Sequence, residues 1–176
     1  MDSRAIINIV DNLESTSVTD ALSANQGRVL KNLIDNIPIN EKNIMTAKLD
    51  GNVTTVSGVY TNLSLTLLNS VGSKLTLENG GIKIGSGVSK VKINADLKYI
   101  CNAVGNKHSR ILKNTASVAW ANQRALSVDD EFTISIGQKI IDVQEGDVFY
   151  LAYYAADGDV ISTNYNATYL TVEVVE

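Results

Sequence analysis

The amino-acid sequence predicts a mainly β protein, in which a helical N-terminal segment precedes an antiparallel sandwich or barrel. Three observations carry this expectation. From about Gly51 onward, apolar and polar residues alternate with period two in several separate stretches. Gly- and Asp-rich turn signals divide those stretches at short intervals. Helical spacing of apolar residues is confined to the chain before Pro38, the one proline.

In the helical part, Ile6, Ile7, Val10 and Leu13 recur at helical spacing until Ser15-Thr16-Ser17 interrupts them, and a second helix is expected to start there. Ser17 or Thr19 can cap it by accepting a bond from a free first-turn N–H. Asp20 sets a negative charge against the positive end of the helix dipole. Leu22, Val29, Leu30, Leu33, Ile34 and Ile37 then mark an apolar stripe. The seven-residue intervals 22–29, 26–33 and 30–37 fit a short coiled-coil seam, so Leu22, Val29 and Leu33 are candidate contacts between copies of the chain. Gly27 costs such a helix ~1 kcal/mol relative to Ala, and the helix is expected to need partners. Residues 1–38 are thus read as a helical stalk, 39–52 as a linker and 53–176 as the β head.

In the head, Leu63, Leu65 and Leu67 alternate with polar residues, and Val91 to Tyr99 places apolar residues at every odd position. Phe132, Ile134 and Ile136, and then Leu170, Val172 and Val174, repeat that pattern of a half-buried antiparallel strand. Gly80-Gly81, Gly85-Ser86-Gly87, Glu145-Gly146-Asp147 and Asp157-Gly158-Asp159 supply turns. The stretch Val148 to Ala155 departs from the rule, because both of its faces are apolar or aromatic. Something must cover the second face. Subunit association is the simplest cover, making Phe149, Tyr150, Tyr153 and Tyr154 candidate interface residues, and a loop of the same chain is the alternative.

Composition narrows the function classes. Net charge is −4 and the pI about 5.0, which gives no concentrated basic face for nucleic acid. Charge is nevertheless segregated along the chain. Lys74 to Arg124 is strongly basic and Ser127 to Glu176 strongly acidic, so neighbouring strands are expected to pair their exposed charges, or two patches to meet across a subunit boundary. No 18-residue apolar run occurs, and the N-terminus lacks the charged start and apolar core of a secretion signal, so membrane insertion is not expected. Cys101 stands alone within a strand alternation and reads as a buried small hydrophobe. Ser, Thr and Asn together number 46, a supply of neutral polar groups suited to turns and to hydrogen bonds with sugars.

The stretch Thr19-Asp20-Ala21-Leu22-Ser23-Ala24-Asn25-Gln26-Gly27-Arg28-Val29-Leu30-Lys31 resembles a segment of tail fibre and receptor-binding proteins from phages of Gram-positive bacteria. The chain from about Thr54 resembles a jelly-roll head of the tumour-necrosis-factor and complement type. Its carriers are Glu145-Gly146-Asp147-Val148-Phe149-Tyr150-Leu151 and Tyr169-Leu170-Thr171-Val172-Glu173-Val174. The resemblance implies a homotrimer on the virion tail, with helices bundled on the axis toward other tail or baseplate proteins. It implies heads that hold a host receptor, usually a cell-wall saccharide, without enzymatic activity or a cofactor. A polysaccharide-degrading tail enzyme and a structural spacer or decoration protein are the rival readings.

Trp120 is read first as core, and otherwise as a stacking platform for a sugar ring, with Asn122, Gln123 and Arg124 donating hydrogen bonds. Asn164, Tyr165 and Asn166 form a second polar-aromatic run. His108, in Gly105-Asn106-Lys107-His108-Ser109-Arg110, reads as an exposed loop residue or a ligand contact. One His and one Cys leave zinc without its usual ligands. Asp157-Gly158-Asp159 lacks the further ligands of a calcium loop and reads as a turn. Asp129-Asp130-Glu131 with Glu145 and Asp147 contain carboxylates that a glycosidase could use, although acidic turn residues are the commoner explanation.

Overall fold

The computed structural model describes residues 9–10, 21–22, 24–36, 41–55, 58–155, 158–162 and 167–176, in two compact units, Met1–Asn40 and Glu41–Glu176. In the first unit, β1 (Ile9–Val10) pairs in parallel with β2 (Ala21–Leu22), and α1 spans Ala24–Asp35. The expected helix over Ile6–Leu13 is therefore corrected. Ile9 and Val10 are β-branched and lose side-chain freedom in a helix; here their backbones pair with Ala21 and Leu22. Leu22 consequently sits on a strand, and the 22–29 interval does not run along one helix. Ile6, Ile7, Leu13, Ser17, Thr19, Asp20, Ile37 and Pro38 lie outside the described residues. On α1, Val29 and Leu30 are half-buried, while Leu33 and Ile34 are 56% and 64% exposed.

The second unit is an antiparallel jelly roll of two sheets. The first sheet runs β11 (Ala116–Ala125), β10 (Gly105–Lys113), β13 (Val148–Tyr154), β8 (Gly81–Ile84) and β7 (Leu75–Glu78), with β5 (Thr61–Asn62) also alongside β13. The second runs β4 (Val53–Thr54), β14 (Val160–Ser162), β9 (Lys90–Ile100), β15 (Tyr169–Val174), β3 (Ile44–Leu49) and β6 (Leu65–Val71). Strand β12 (Glu131–Asp142) also pairs with β9. Residues 44–49 are thus an interior strand held between β15 and β6, not part of a linker. The burial of Met45, Ala47 and Leu49 on alternate positions explains why the chain is ordered there.

The core lies between the sheets. Val91, Ile93, Ala95, Leu97 and Tyr99 of β9 point inward, as their odd spacing requires, and Leu170, Val172, Ile134 and Ile136 join them. Leu63 and Leu65 are also buried, but Leu67 is half exposed, since β6 is the edge strand and its ladder with β3 slips at Leu68. Cys101 is buried as expected, and burial pushes its thiol pKa up. The β7–β8 hairpin turns on Asn79 and Gly80, both at positive φ, which a two-residue turn of this kind requires.

Strand β13 turns one apolar face into the core and leaves the other partly exposed. Phe149, Leu151, Tyr153 and Ala155 face the core. Phe149 and Tyr153 are 0% and 3% exposed and so are not available to a partner subunit, which corrects their expected interface role. On the other face, Tyr150 and Val148 lie against Gly81, where an added Cβ would approach Tyr150 Cε1 and Val148 Cγ1 to 2.7 Å. Ala152 is fully buried between its register partners Arg110 and Asn62. On this face Ala152 alone is buried, while Val148, Tyr150 and Tyr154 are half-buried.

The charge segregation resolves in the same way. Lys90 pairs with Glu176, Lys92 with Glu173 (2.5 Å), Lys98 with Glu131 (2.9 Å) and Lys113 with Asp147 (3.3 Å). The basic and acidic segments thus meet inside one chain because β9 lies between β15 and β12. One further pair is not at the surface. Lys107 and Asp159 are both fully buried, with Nζ 2.5 Å from Oδ2. The ammonium also donates to the Ala103 carbonyl, and Asp159 Oδ1 accepts the Asn102 N–H. Asp159 is therefore an inter-sheet anchor rather than a simple turn residue, while Asp157 lies outside the described residues.

Candidate functional site

On β10, period-two alternation sends Lys107, Ser109 and Ile111 into the core and leaves Asn106, His108 and Arg110 on the outer face. On β11, Ala119 and Ala125 are buried while Trp120, Asn122 and Arg124 are exposed. The antiparallel register sets Trp120 opposite Arg110, Asn122 opposite His108 and Arg124 opposite Asn106. On the other edge of β10, His108 is opposite Tyr154 and Arg110 opposite Ala152. Directly opposed residues share a face, so His108, read separately in the sequence, stands on one sheet face with Trp120, Asn122 and Arg124.

Trp120 is 65% exposed, which removes the core reading and leaves the indole as an open platform. His108 is on a strand, not in a loop, and half-buried. Its ring meets Tyr154 edge-on at 5.6 Å and Tyr60 at 6.5 Å, and Tyr60 and Tyr154 are 5.1 Å apart. The Arg110 guanidinium lies over the Tyr60 ring, 3.6 Å from its centre. Burial, and then the Arg110 charge, hold the His108 pKa below its ordinary value.

Tyr60 and Arg110 were missed as site residues. Arg110 had a usable signal, since it lies two residues from His108 on an alternating strand. Tyr60 had none, because only the pairing of β5 with β13 brings it here. Tyr154, expected at an interface, belongs to this cluster. Asn164, Tyr165 and Asn166 lie outside the described residues.

Two shallow grooves open on this part of the head. One of about 390 Å³ is lined by Asn106, His108, Tyr154 and their neighbours. The other, of about 500 Å³, lies between Ser117–Trp120 and Ile136–Lys139, where β12 bulges against β9 and the Lys139 ammonium donates to the Val118 carbonyl at 2.6 Å.

Three of the five carboxylates that a glycosidase could use are engaged elsewhere. Asp130 accepts the backbone N–H groups of Leu126 and Ser127 and the Ser127 hydroxyl, which hold its pKa below the usual range. Glu131 pairs with Lys98. Asp147 receives the Asn114 amide and the Gln144 N–H and lies beside Lys113. Among the described residues, no group of three His, Cys, Asp or Glu side chains could hold a metal ion, and no helix is long and apolar enough to cross a membrane.

Comparison with known proteins bears on both units. Residues 9–38 match a family model described as phage tail fiber repeats. No curated protein matches the chain at a significant level. Murine APRIL, in its crystal structure at pH 8.0, is 6% identical, covering 77% of this chain and 100% of its own with a TM-score of 0.60. The Eiger TNF of S. frugiperda is 8% identical, covering 78% of this chain and 94% of its own with a TM-score of 0.63. At such identities the likeness is one of fold. The chain carries a segment similar to phage tail fiber repeats, followed by a head with the jelly-roll fold of APRIL and Eiger TNF.

Proposed function

We propose that the chain is a non-enzymatic, receptor-binding component of a phage tail, which holds a saccharide of the host cell wall on the outer face of β10, β11 and β13. The observation that carries this reading is the exposed Trp120 indole beside the Tyr60–Tyr154–His108–Arg110 cluster, in a chain with a tail fibre repeat. A sugar ring offers an apolar C–H face that releases water when it stacks on a flat aromatic. Its hydroxyl edges need fixed donors and acceptors of the kind that Asn122, Arg124 and Asn106 supply. The engagement of Asp130, Glu131 and Asp147 in turns and ion pairs supports the non-enzymatic reading. We further propose that the chain is a homotrimer. The exposed Leu33 and Ile34, continuous with Val29 and Leu30, would be covered by the same helix of two other copies, with α1 directed toward other tail or baseplate proteins.

The test is direct labelling of a panel of Gram-positive cells with the fluorescent full-length protein. Labelling of at least one host is expected, together with its loss in Trp120→Ala at unchanged melting temperature. Release of reducing ends from purified wall polysaccharide would instead favour a hydrolase, and no labelling of any host would favour a spacer.

A further inference from the structure

We propose that Lys107 and Asp159 condense spontaneously into an intramolecular amide, a covalent staple between the two sheets of the head. Lys107 sits on β10 in the first sheet, and Asp159 directly precedes β14 in the second, 52 residues away. Both side chains are fully buried, and Nζ lies 2.5 Å from Oδ2. Alternation along β10 turns Lys107 inward, so the chain itself delivers the amine to the carboxyl group. The staple goes beyond the saccharide reading and does not depend on what the outer face binds.

The surroundings suit condensation. A buried charge pair has lost the hydration that stabilises it in water, and an environment of low dielectric favours a step that removes both charges. The Ala103 carbonyl accepts an N–H from Nζ at 3.0 Å and holds the nitrogen beside the carboxyl group. Asp159 Oδ1 accepts the Asn102 N–H at 2.7 Å, which places a fixed donor on the oxygen where negative charge develops when an amine adds to the carboxyl carbon. The atoms balance within the pair. One proton passes from Nζ to Oδ2, giving an amine and an acid. The nitrogen lone pair then attacks Cγ, a second proton follows to Oδ2, and the Cγ–Oδ2 bond breaks to release water. One hydrogen stays on the amide nitrogen, and no oxidant, cofactor or outside acid is needed.

The product fits the fold as well as the reactants do. The amide N–H keeps the Ala103 carbonyl and the amide oxygen keeps the Asn102 N–H, so these buried groups retain their partners. Cys101 is the sole cysteine, so no disulfide within the chain can join the sheets. The amide closes a long loop in the same sense and restricts the unfolded chain as a disulfide does.

Intact mass spectrometry of the full-length protein, denatured after purification in its folded state, reads the step directly. The expected mass is one water below that of the sequence. Trypsin should yield a branched peptide joining residues 99–110 to residues 140–176, uncleaved after Lys107. Lys107→Arg keeps a cation but has no amine able to condense, and should carry its full sequence mass, as should Asp159→Ala. The wild-type mass and the branched peptide decide the matter even where a variant fails to fold. A wild type at its full sequence mass overturns the proposal. So does a water loss that persists in Lys107→Arg, or one that maps to an unbranched peptide, as a succinimide at Asp50-Gly51 or Asp157-Gly158 would give.

Discussion

The exposed Trp120 and the buried Lys107 both have environments that run against their residue type. Trp120 leaves most of its indole in water, so its truncation removes little buried surface. Trp120→Ala is expected to change stability by less than about 1 kcal/mol, with thermal melts superimposable on the wild type, and to abolish cell labelling. A large drop in melting temperature would mean that the indole packs on something more than this face. Lys107 has the opposite character: its ammonium is fully buried against Asp159 and the Ala103 carbonyl. Lys107→Met strands a buried carboxylate and is expected to cost ~3–5 kcal/mol by denaturant unfolding. The double variant Lys107→Met/Asp159→Leu should recover part of that loss, because removing both partners leaves no charge unpaired. If the double variant is as unstable as the two single losses summed, the pair is not the source of the cost.

At the scale of elements, α1 and β13 show where local pattern suffices and where it fails. The inward set of β9 was legible because its alternation is uninterrupted over Val91–Tyr99 and one slip of register would expose every apolar side chain. The role of β13 was not, since periodicity reports that two faces are apolar but not what covers them. Its neighbours on the outer face are Gly81, Arg110 and the β5 segment, all distant in sequence. The same limit hid Tyr60 from the candidate site and Asp159 from the core, while Trp120, Asn122 and Arg124 were grouped together with Gln123, which lies opposite the buried Lys107 and so on the other face. In α1, the Gly27 Cα faces open space, with nothing within 4 Å of an added Cβ. Gly27→Ala should therefore raise helix stability by up to ~1 kcal/mol per chain and sharpen the far-ultraviolet helical signal. Leu33→Asp with Ile34→Asp should yield a monomer by multi-angle light scattering, with the head's melting temperature unchanged. A trimer that persists in this double variant would move the association to the head.

For the head as a whole, the ion pairs between β9, β12, β15 and the C-terminus make stability a function of pH with predictable edges. Glu173 and Glu176 have pKa values held below their ordinary 4.5 by hydrogen bonding and charge from Lys92 and Lys90, and Asp130 is held below 3.8 chiefly by Ser127. A carboxylate whose folded pKa is depressed contributes stability that is present above its unfolded pKa and lost as pH falls through its folded pKa. The acid edge therefore starts near pH 4.5 and runs down through the depressed values. Lys83 and Lys90 behave conversely. Glu78 and Glu176 raise their pKa values above 10.5, so their contribution is present below that pH and is lost as pH rises through the raised values. Between these edges two smaller slopes are expected: the depressed His108 pKa lowers stability as pH falls below 6.5, and the raised Cys101 pKa lowers it as pH rises above 9.0. Because most of these groups are solvent-exposed, each edge should be shallow and should shrink in 1 M NaCl, where screening is nearly complete. The buried Lys107–Asp159 pair is shielded from salt and should not follow that trend. Differential scanning calorimetry from pH 3 to 11 at low and high salt reads the edges directly. A melting temperature that does not fall between pH 5 and pH 3 at low salt would show that the cross-strand pairs seen here do not stabilise the head in solution.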